Sequence, residues 1–298
     1  MPENFLFIRE AQLEMFPKIP DTNKAINETD KRIFKGRIQF NVDLNRGSEP
    51  NKATIKLYNI NQETRSFLEN DNILVDLFVG YDGNISRIFR GDIIENGIKV
   101  ERSDADVIVS IECGDAEKII HRRTIEITLG PGAKNTQVFN QAITKLNLKR
   151  GNIVDIPEKT FFKGFQFSGT VKSLLDQMTK QVGLEWSVQN GILNILDRNK
   201  LVTQDAVLVT KDTGLIGFPS KTKKRIEFRA LINNKIIPGS AVKLISQQTE
   251  GIVNPASQSK INAGVVLKVE KATFDGDTDE GAWEVKVEGS IPTEVSNG

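Results

Sequence analysis

Cysteine and histidine are almost missing from this chain: its 298 residues hold one of each, Cys113 and His121. A lone cysteine excludes an internal disulfide and any zinc site built from several cysteines. An excess of either charge is missing too. Lys and Arg total 40 and Asp and Glu 39, so a net charge of +1 gives no global pull toward nucleic acid, a membrane surface or an acidic polymer. No apolar run approaches the roughly 20 residues that cross a bilayer. The opening Met1–Glu10 has no basic stretch followed by an apolar one, so no signal peptide is expected. These absences predict a protein with no membrane partner, made in a cytoplasm and either staying there or leaving as part of a particle.

What is present is a dense strand pattern. The length allows two or three domains, each able to bury a core. In the first third, Thr54–Tyr58 alternates, with Ile55 and Leu57 on one face. Asn61 then caps a short helix with Glu63 in its first turn, and Phe67 and Leu68 are placed to dock it on the sheet. Ile73, Val75, Leu77 and Val79 line one face of the next strand; Leu74 and Phe78 line the other, with Asp76 between them. A strand apolar on both faces lies inside a sandwich or at a subunit contact. Leu74, Phe78 and Phe89 are therefore the candidate subunit-contact residues, with a second inner face of a sandwich as the equal alternative. Turns are expected at Tyr81–Asn84 and, as a hairpin, at Asn96–Gly97. Val107, Val109 and Ile111 alternate before Gly114. This predicts a first domain over residues 1–118, an antiparallel sandwich or barrel with one helix.

The middle differs. After Gly130-Pro131-Gly132, Thr136 is placed to cap a helix with Phe139, Ala142, Ile143 and Leu146 on one face. A short strand at Phe165–Phe167 leads to Thr170, which caps a second helix with the stripe Val171, Leu174, Leu175, Met178 and Val182, stopped by Gly183. Leu184, Trp186 and Val188 alternate, Asn190–Gly191 reads as a type I′ turn, and Leu193 and Ile195 return. Residues 119–200 thus form a small α+β module. From residue 201 the pattern is strand again: Arg225–Ile232, a Pro238–Gly239 turn, Val242 and Leu244, a polar loop over 250–264, Val265–Val269, a turn at Phe274–Asp277, and Trp283–Val287. The fold class expected is α+β, mainly β: two antiparallel barrel or sandwich domains, 1–118 and 201–298, flanking the module.

No arrangement of residues calls for catalysis, a cofactor or a metal. Cys113 and His121 are types that can pair as nucleophile and base, but Cys113 ends an apolar alternating strand, and Arg122 and Arg123 disfavour a protonated His121. Asp275, Asp277, Asp279 and Glu280 suggest a calcium loop. Yet Glu280 and Lys286 stand where such a loop needs Gly and Glu, which favours a solvated turn. The glycines at 80, 83, 91 and 97 fit no nucleotide-binding spacing. The run Lys221–Arg225 is a short basic loop in a near-neutral chain, and Trp186 and Trp283 lie on alternating strand faces that suit a core better than a sugar-stacking surface.

The segments P-N-K-A-T-I-K-L-Y-N-I, I-L-V-D-L-F-V-G-Y and I-F-R-G-D, in that order, resemble the N-terminal domain of phage baseplate central hub proteins. G-L-I-G-F-P, L-I-N-N-K-I-I-P-G-S-A-V-K-L and V-L-K-V-E-K-A-T-F-D-G-D-T-D-E-G-A-W-E-V resemble the family's second β domain, so the likeness runs from about Phe34 to Val287. Phe274 departs from it, standing where many relatives carry histidine. The resemblance implies a structural protein, not an enzyme, located in the virion tail baseplate after assembly in the host cytoplasm. It implies a homotrimer whose two tube-type β domains per subunit make six similar units, adapting a six-fold tail tube to a three-fold spike. The implied partners are further copies of the chain, a separate spike protein, the tail tube or a tube initiator, baseplate wedge proteins, and a tape-measure protein in the lumen. DNA is implied only in transit, with Lys221–Arg225 expected off the lumen. The alternatives are the hub of a tailocin or other contractile injection system, a tail-associated cell-wall hydrolase, or an adhesin.

Overall fold

The computed structural model describes residues 8–20, 22, 24–70, 72–103, 105–198, 205–222, 225–247 and 261–292. Its first stretch carries β1 (Arg9–Pro17), β2 (Arg32–Phe34), β3 (Ile38–Asn45), β4 (Lys52–Tyr58), α1 (Gln62–Leu68), β5 (Ile73–Tyr81), β6 (Asn84–Ser103) and β7 (Asp106–Gly114). The middle carries α2 (Glu117–Arg122), β8 (Thr124–Leu129), β9 (Ala133–Lys134), α3 (Asn135–Leu146), β10 (Lys149–Ile153), β11 (Thr160–Phe161), β12 (Phe165–Thr170), α4 (Val171–Val182), β13 (Leu184–Gln189) and β14 (Ile192–Asp197). The last stretch carries β15 (Val207–Val209), β16 (Leu215–Lys221), β17 (Ile226–Leu231), β18 (Ala241–Leu244), β19 (Val265–Asp277) and β20 (Trp283–Ser290).

The local signals act as their chemistry requires. Asn61 Oδ1 accepts from the Thr64 amide at 2.8 Å, and α1 docks through buried Leu68 and half-buried Phe67. Thr170 Oγ1 accepts from the Ser173 amide at 3.2 Å, and the α4 stripe is buried except for Val182, which is half-buried. Asn190 and Gly191 hold φ of 54° and 76°, the pair of left-handed residues a type I′ turn needs. Three expectations fail locally. Thr136 does not cap α3; the helix starts at Asn135, where the Gln137 side chain accepts from the Lys134 amide at 3.1 Å. Asn96–Gly97 is a bulge within β6 rather than a hairpin turn, marked by a register shift between Ile93 and Ile98. Gly97 is needed there because a Cβ would lie 2.7 Å from the Glu112 carbonyl oxygen. The turn placed at Phe274–Asp277 lies further on, since β19 continues through Asp277. Most of the polar loop read at 250–264 lies outside the described residues.

The two β-rich stretches are joined in one 13-stranded sheet with the main path β16-β17-β20-β19-β3-β4-β7-β6-β5-β1-β2. The path does not close into barrels. The joint is the antiparallel pairing of β19 with β3, from Lys271↔Asn45 to Asp277↔Gln39. One hydrophobic core runs through both stretches, and Trp283 of β20 packs edge-on against Phe40 of β3 and Tyr81 of β5 at 5.4 and 6.3 Å. The same wiring occurs twice. Hairpin β3–β4 meets hairpin β6–β7 through β4·β7, and β5 flanks the first half of β6. Hairpin β16–β17 likewise meets hairpin β19–β20 through β17·β20, and β18 flanks the first half of β19. Both long strands, β6 and β19, change register at a bulge before their second half.

The α+β module keeps its own core, which includes Trp186 with its indole N–H donated to Asp176 at 2.8 Å. It is fastened to the sheet by buried polar groups. Asp115 accepts from the amides of Asn190 at 2.6 Å and Gly191 at 2.8 Å, and Asn51 Nδ2 donates to the Val188 carbonyl and the Gln189 side chain. Arg46, at the end of β3, makes a close ion pair with Glu185 of β13. Lys268 of β19 donates to the Arg198 carbonyl at 2.6 Å and pairs with Glu270 at 2.9 Å.

Candidate functional site

Alternation along eight strands, β16-β17-β20-β19-β3-β4-β7 and the second half of β6, sends apolar residues into the core and polar ones to the opposite face. That face is continuous across the β19·β3 joint. Four of its cations pair with carboxylates across strands. Lys271 pairs with Asp43 at 3.1 Å across the joint itself, and the Thr273 hydroxyl donates to the same carboxylate at 2.6 Å. Lys99 pairs with Glu112 at 2.8 Å and Arg229 with Glu284 at 3.4 Å. Arg225, the described residue at the end of the basic run, is exposed and forms a close pair with Glu288. Lys223 and Lys224 lie outside the described residues.

This eight-stranded face has two free edges among the described residues. One is β16, which pairs only with β17; the other is Ile98–Ser103 in β6, which pairs only with β7. Unsatisfied strand edges invite another strand. Each carries uncovered apolar surface: Val100, opposite core residue Val109, is 40% exposed, and Phe218 is 50% exposed. The positions are not arbitrary. By the repeated wiring, the second half of β6 corresponds to the half of β19 that receives β3, and β16 corresponds to β3. The two free edges are thus the counterparts of the two strands that meet at the internal joint.

The residues singled out from sequence fall elsewhere. Leu74 and Phe89 are 0% exposed within the subunit and so offer no surface to a second copy; Phe78 is half-buried. Leu74 is buried by the subunit's own packing: Phe16 and Asp92 are its cross-strand neighbours, and α2 packs on β6, the strand beside its own. Beside it Asp76 is held by Arg90 at 2.8 Å and Arg87 at 3.2 Å, and Lys18 pairs with Asp92 at 2.7 Å. Burial pushes both carboxyls upward, against these cations. Cys113 is buried in the sheet core, where desolvation raises its thiol, while His121 is exposed on α2. Asp277 and Asp279 pair with Arg37 at 3.0 and 3.1 Å, which uses two of the four carboxylates considered for calcium. Trp186 and Trp283 are both buried. The free edges were missed in the sequence because strand pairing between residues more than 200 apart leaves no mark in local alternation; Val100 alternates there like a core residue, and its exposure is seen only in the fold.

The model of a family described as baseplate hub gp41 matches residues 29–259. Among curated protein sequences no match is found. Similar solved structures include a 43 kDa tail protein of prophage MuSo2 from Shewanella oneidensis, with a TM-score of 0.60 at 10% identity over 96% of this chain and 100% of that one. A tail protein from Neisseria meningitidis MC58 gives 0.60 at 8% identity over 95% and 98%. A chain of the Francisella PdpA–VgrG complex gives 0.59 at 10% identity over 98% of this chain and 59% of that one. At such identities the likeness is one of fold.

Proposed function

The chain belongs to the baseplate hub gp41 family, and from that premise we propose that it is a structural, non-catalytic adapter that closes into a homotrimer between a tail tube and a spike. The observation that carries this reading is the pair of free edges on the eight-stranded face. A heterologous ring requires each subunit to present two different, complementary surfaces. Here β16 of one copy would pair with Ile98–Ser103 of the next, repeating the internal β19·β3 joint. Three copies would then present six similar four-strand units, a pseudo-six-fold surface on a three-fold assembly. The polar face would line the channel. Its cross-strand ion pairs leave little net attraction for DNA in transit or for a tape-measure protein. Arg225 belongs to that face, so at least this residue of the basic run would line the channel, already paired with Glu288.

The spike, tube, tube-initiator and wedge contacts would use the two rims and the outside of the ring, with the α+β module bracing it from outside. The virion tail baseplate is the implied location, after assembly in the host cytoplasm. The fold shared with a PdpA–VgrG chain favours, as a second reading, the same role in another contractile injection machine. Mass by light scattering, alone and with a candidate spike, tests the proposal. A trimer is expected in at least one condition, and a strict monomer in both overturns it. Zymography on cell walls tests the non-catalytic part, which clear lysis would overturn.

A further inference from the structure

Inward-facing cations in this protein are generally neutralised: Lys18 by Asp92, Arg87 and Arg90 by Asp76, Lys268 by Glu270. One concavity breaks the pattern. A cavity of about 460 Å³ between α2, β8 and the end of α3 is lined by Lys118, Arg122, Arg123 and Lys145, with Ile119 and Thr124, and by no carboxylate. Arg123 donates to the carbonyls of Lys145 and Leu146 at 2.5 and 2.8 Å, so the end of α3 accounts for it, and the last turn of that helix also suits Lys145. Arg122 pairs with Glu95 at 2.9 Å, but both side chains are mostly exposed and such a pair is weak. Lys118 acts at a distance on the buried carboxyl of Asp92, but Lys18 already pairs that group. Lys118 sits in the first turn of α2, where the helix dipole disfavours a cation. Among the described residues neither Lys118 nor Lys145 is in direct ion-pair contact with a carboxylate, Asp92 being held by Lys18.

We propose that this cavity is a socket for an acidic peptide segment of a neighbouring protein, whose carboxylates bridge Lys118 and Lys145 and draw Arg122 from its exposed partner. Nucleic acid fits less well. A phosphate backbone is followed by a track of cations with stacking platforms, whereas these four converge on one concavity floored by buried Ile119. The inference does not depend on ring closure, because the cavity belongs to the α+β module and not to the free edges.

The test is fluorescence anisotropy of a labelled hexaglutamate peptide with the full chain at low and at physiological salt. Lys118→Glu with Lys145→Glu should weaken binding by about tenfold or more, and Lys118→Gln with Lys145→Gln by several-fold, each with an unchanged circular dichroism spectrum. Lys211→Glu with Lys243→Glu makes the same change in net charge on exposed residues outside the cavity and should leave binding within about twofold. No binding by the native chain overturns the proposal. So does equal loss in the two glutamate variants, or displacement by an oligothymidylate at lower concentration than by unlabelled peptide.

Discussion

Val100 lies in the free half of β6, faces the core side opposite Val109, and is 40% exposed in the single subunit. If β16 of a second copy covers this edge, Val100 takes the position that Ala272 and Phe274 hold at the internal joint, where both are fully buried. Covering that exposed part of Val100 removes roughly 60 Å² of apolar surface, about 1.5 kcal/mol per seam at ~25 cal/mol per Å². Val100→Asp forfeits this term and adds the cost of enclosing a carboxylate with no partner. Together these come to about 3 kcal/mol per seam and about 9 kcal/mol over the three seams of a closed ring, enough to weaken assembly by about a million-fold. The subunit itself should be spared, because the side chain there already reaches water. Sedimentation velocity on native and variant chains, with and without a spike protein, reads the outcome. The expected result is loss of the trimer at a normal thermal midpoint. A variant that assembles as well as the native chain refutes the seam, even if the native protein is a trimer.

Other consequences concern the module and the core. Asp115→Ala strands the buried amides of Asn190 and Gly191, a loss of about 2–4 kcal/mol that should appear in urea denaturation and as faster hydrogen exchange at those two amides. Burial pushes Asp115 up to about 7, against the pull of the amides of Gly191 and Asn190 and of Asn51, and pushes Glu185 up to about 7 against Arg46. The folded state therefore holds these protons more tightly than the unfolded chain, so their stabilising contribution is greatest near pH 4 and is lost as pH rises through about 7. The gap in urea midpoint between the native chain and Asp115→Asn should shrink over that interval, and a gap that widens contradicts the assignment. Cys113, buried and with its thiol raised, should stay inert to a thiol reagent until the chain unfolds; rapid labelling of the folded protein would show that β7 opens locally.

Much of the local structure was legible because its causes are local. The Asn61 cap, the α4 stripe and the Asn190–Gly191 turn each depend on a few neighbouring residues, and each forms as read. Asn96–Gly97 shows the limit. The same dipeptide chemistry serves a hairpin turn or a bulge, and only the approach of β7, with the Glu112 carbonyl against Gly97, decides between them. Leu74 shows another limit: an apolar second face looks the same in sequence whether the subunit's own packing or another subunit covers it, whereas Phe89 sits opposite Leu77 in the sheet core.

The sequence alone determined the β, α+β, β order, the lack of an internal disulfide and the near-balance of charge, since alternation, caps and composition are properties of short stretches. Only the tertiary structure decided that the outer thirds share one sheet through β19 and β3, that their wiring repeats, and that two counterpart edges stay free. Pairing between distant strands is chosen by how a whole core closes, and that choice is not carried by any one segment of the chain.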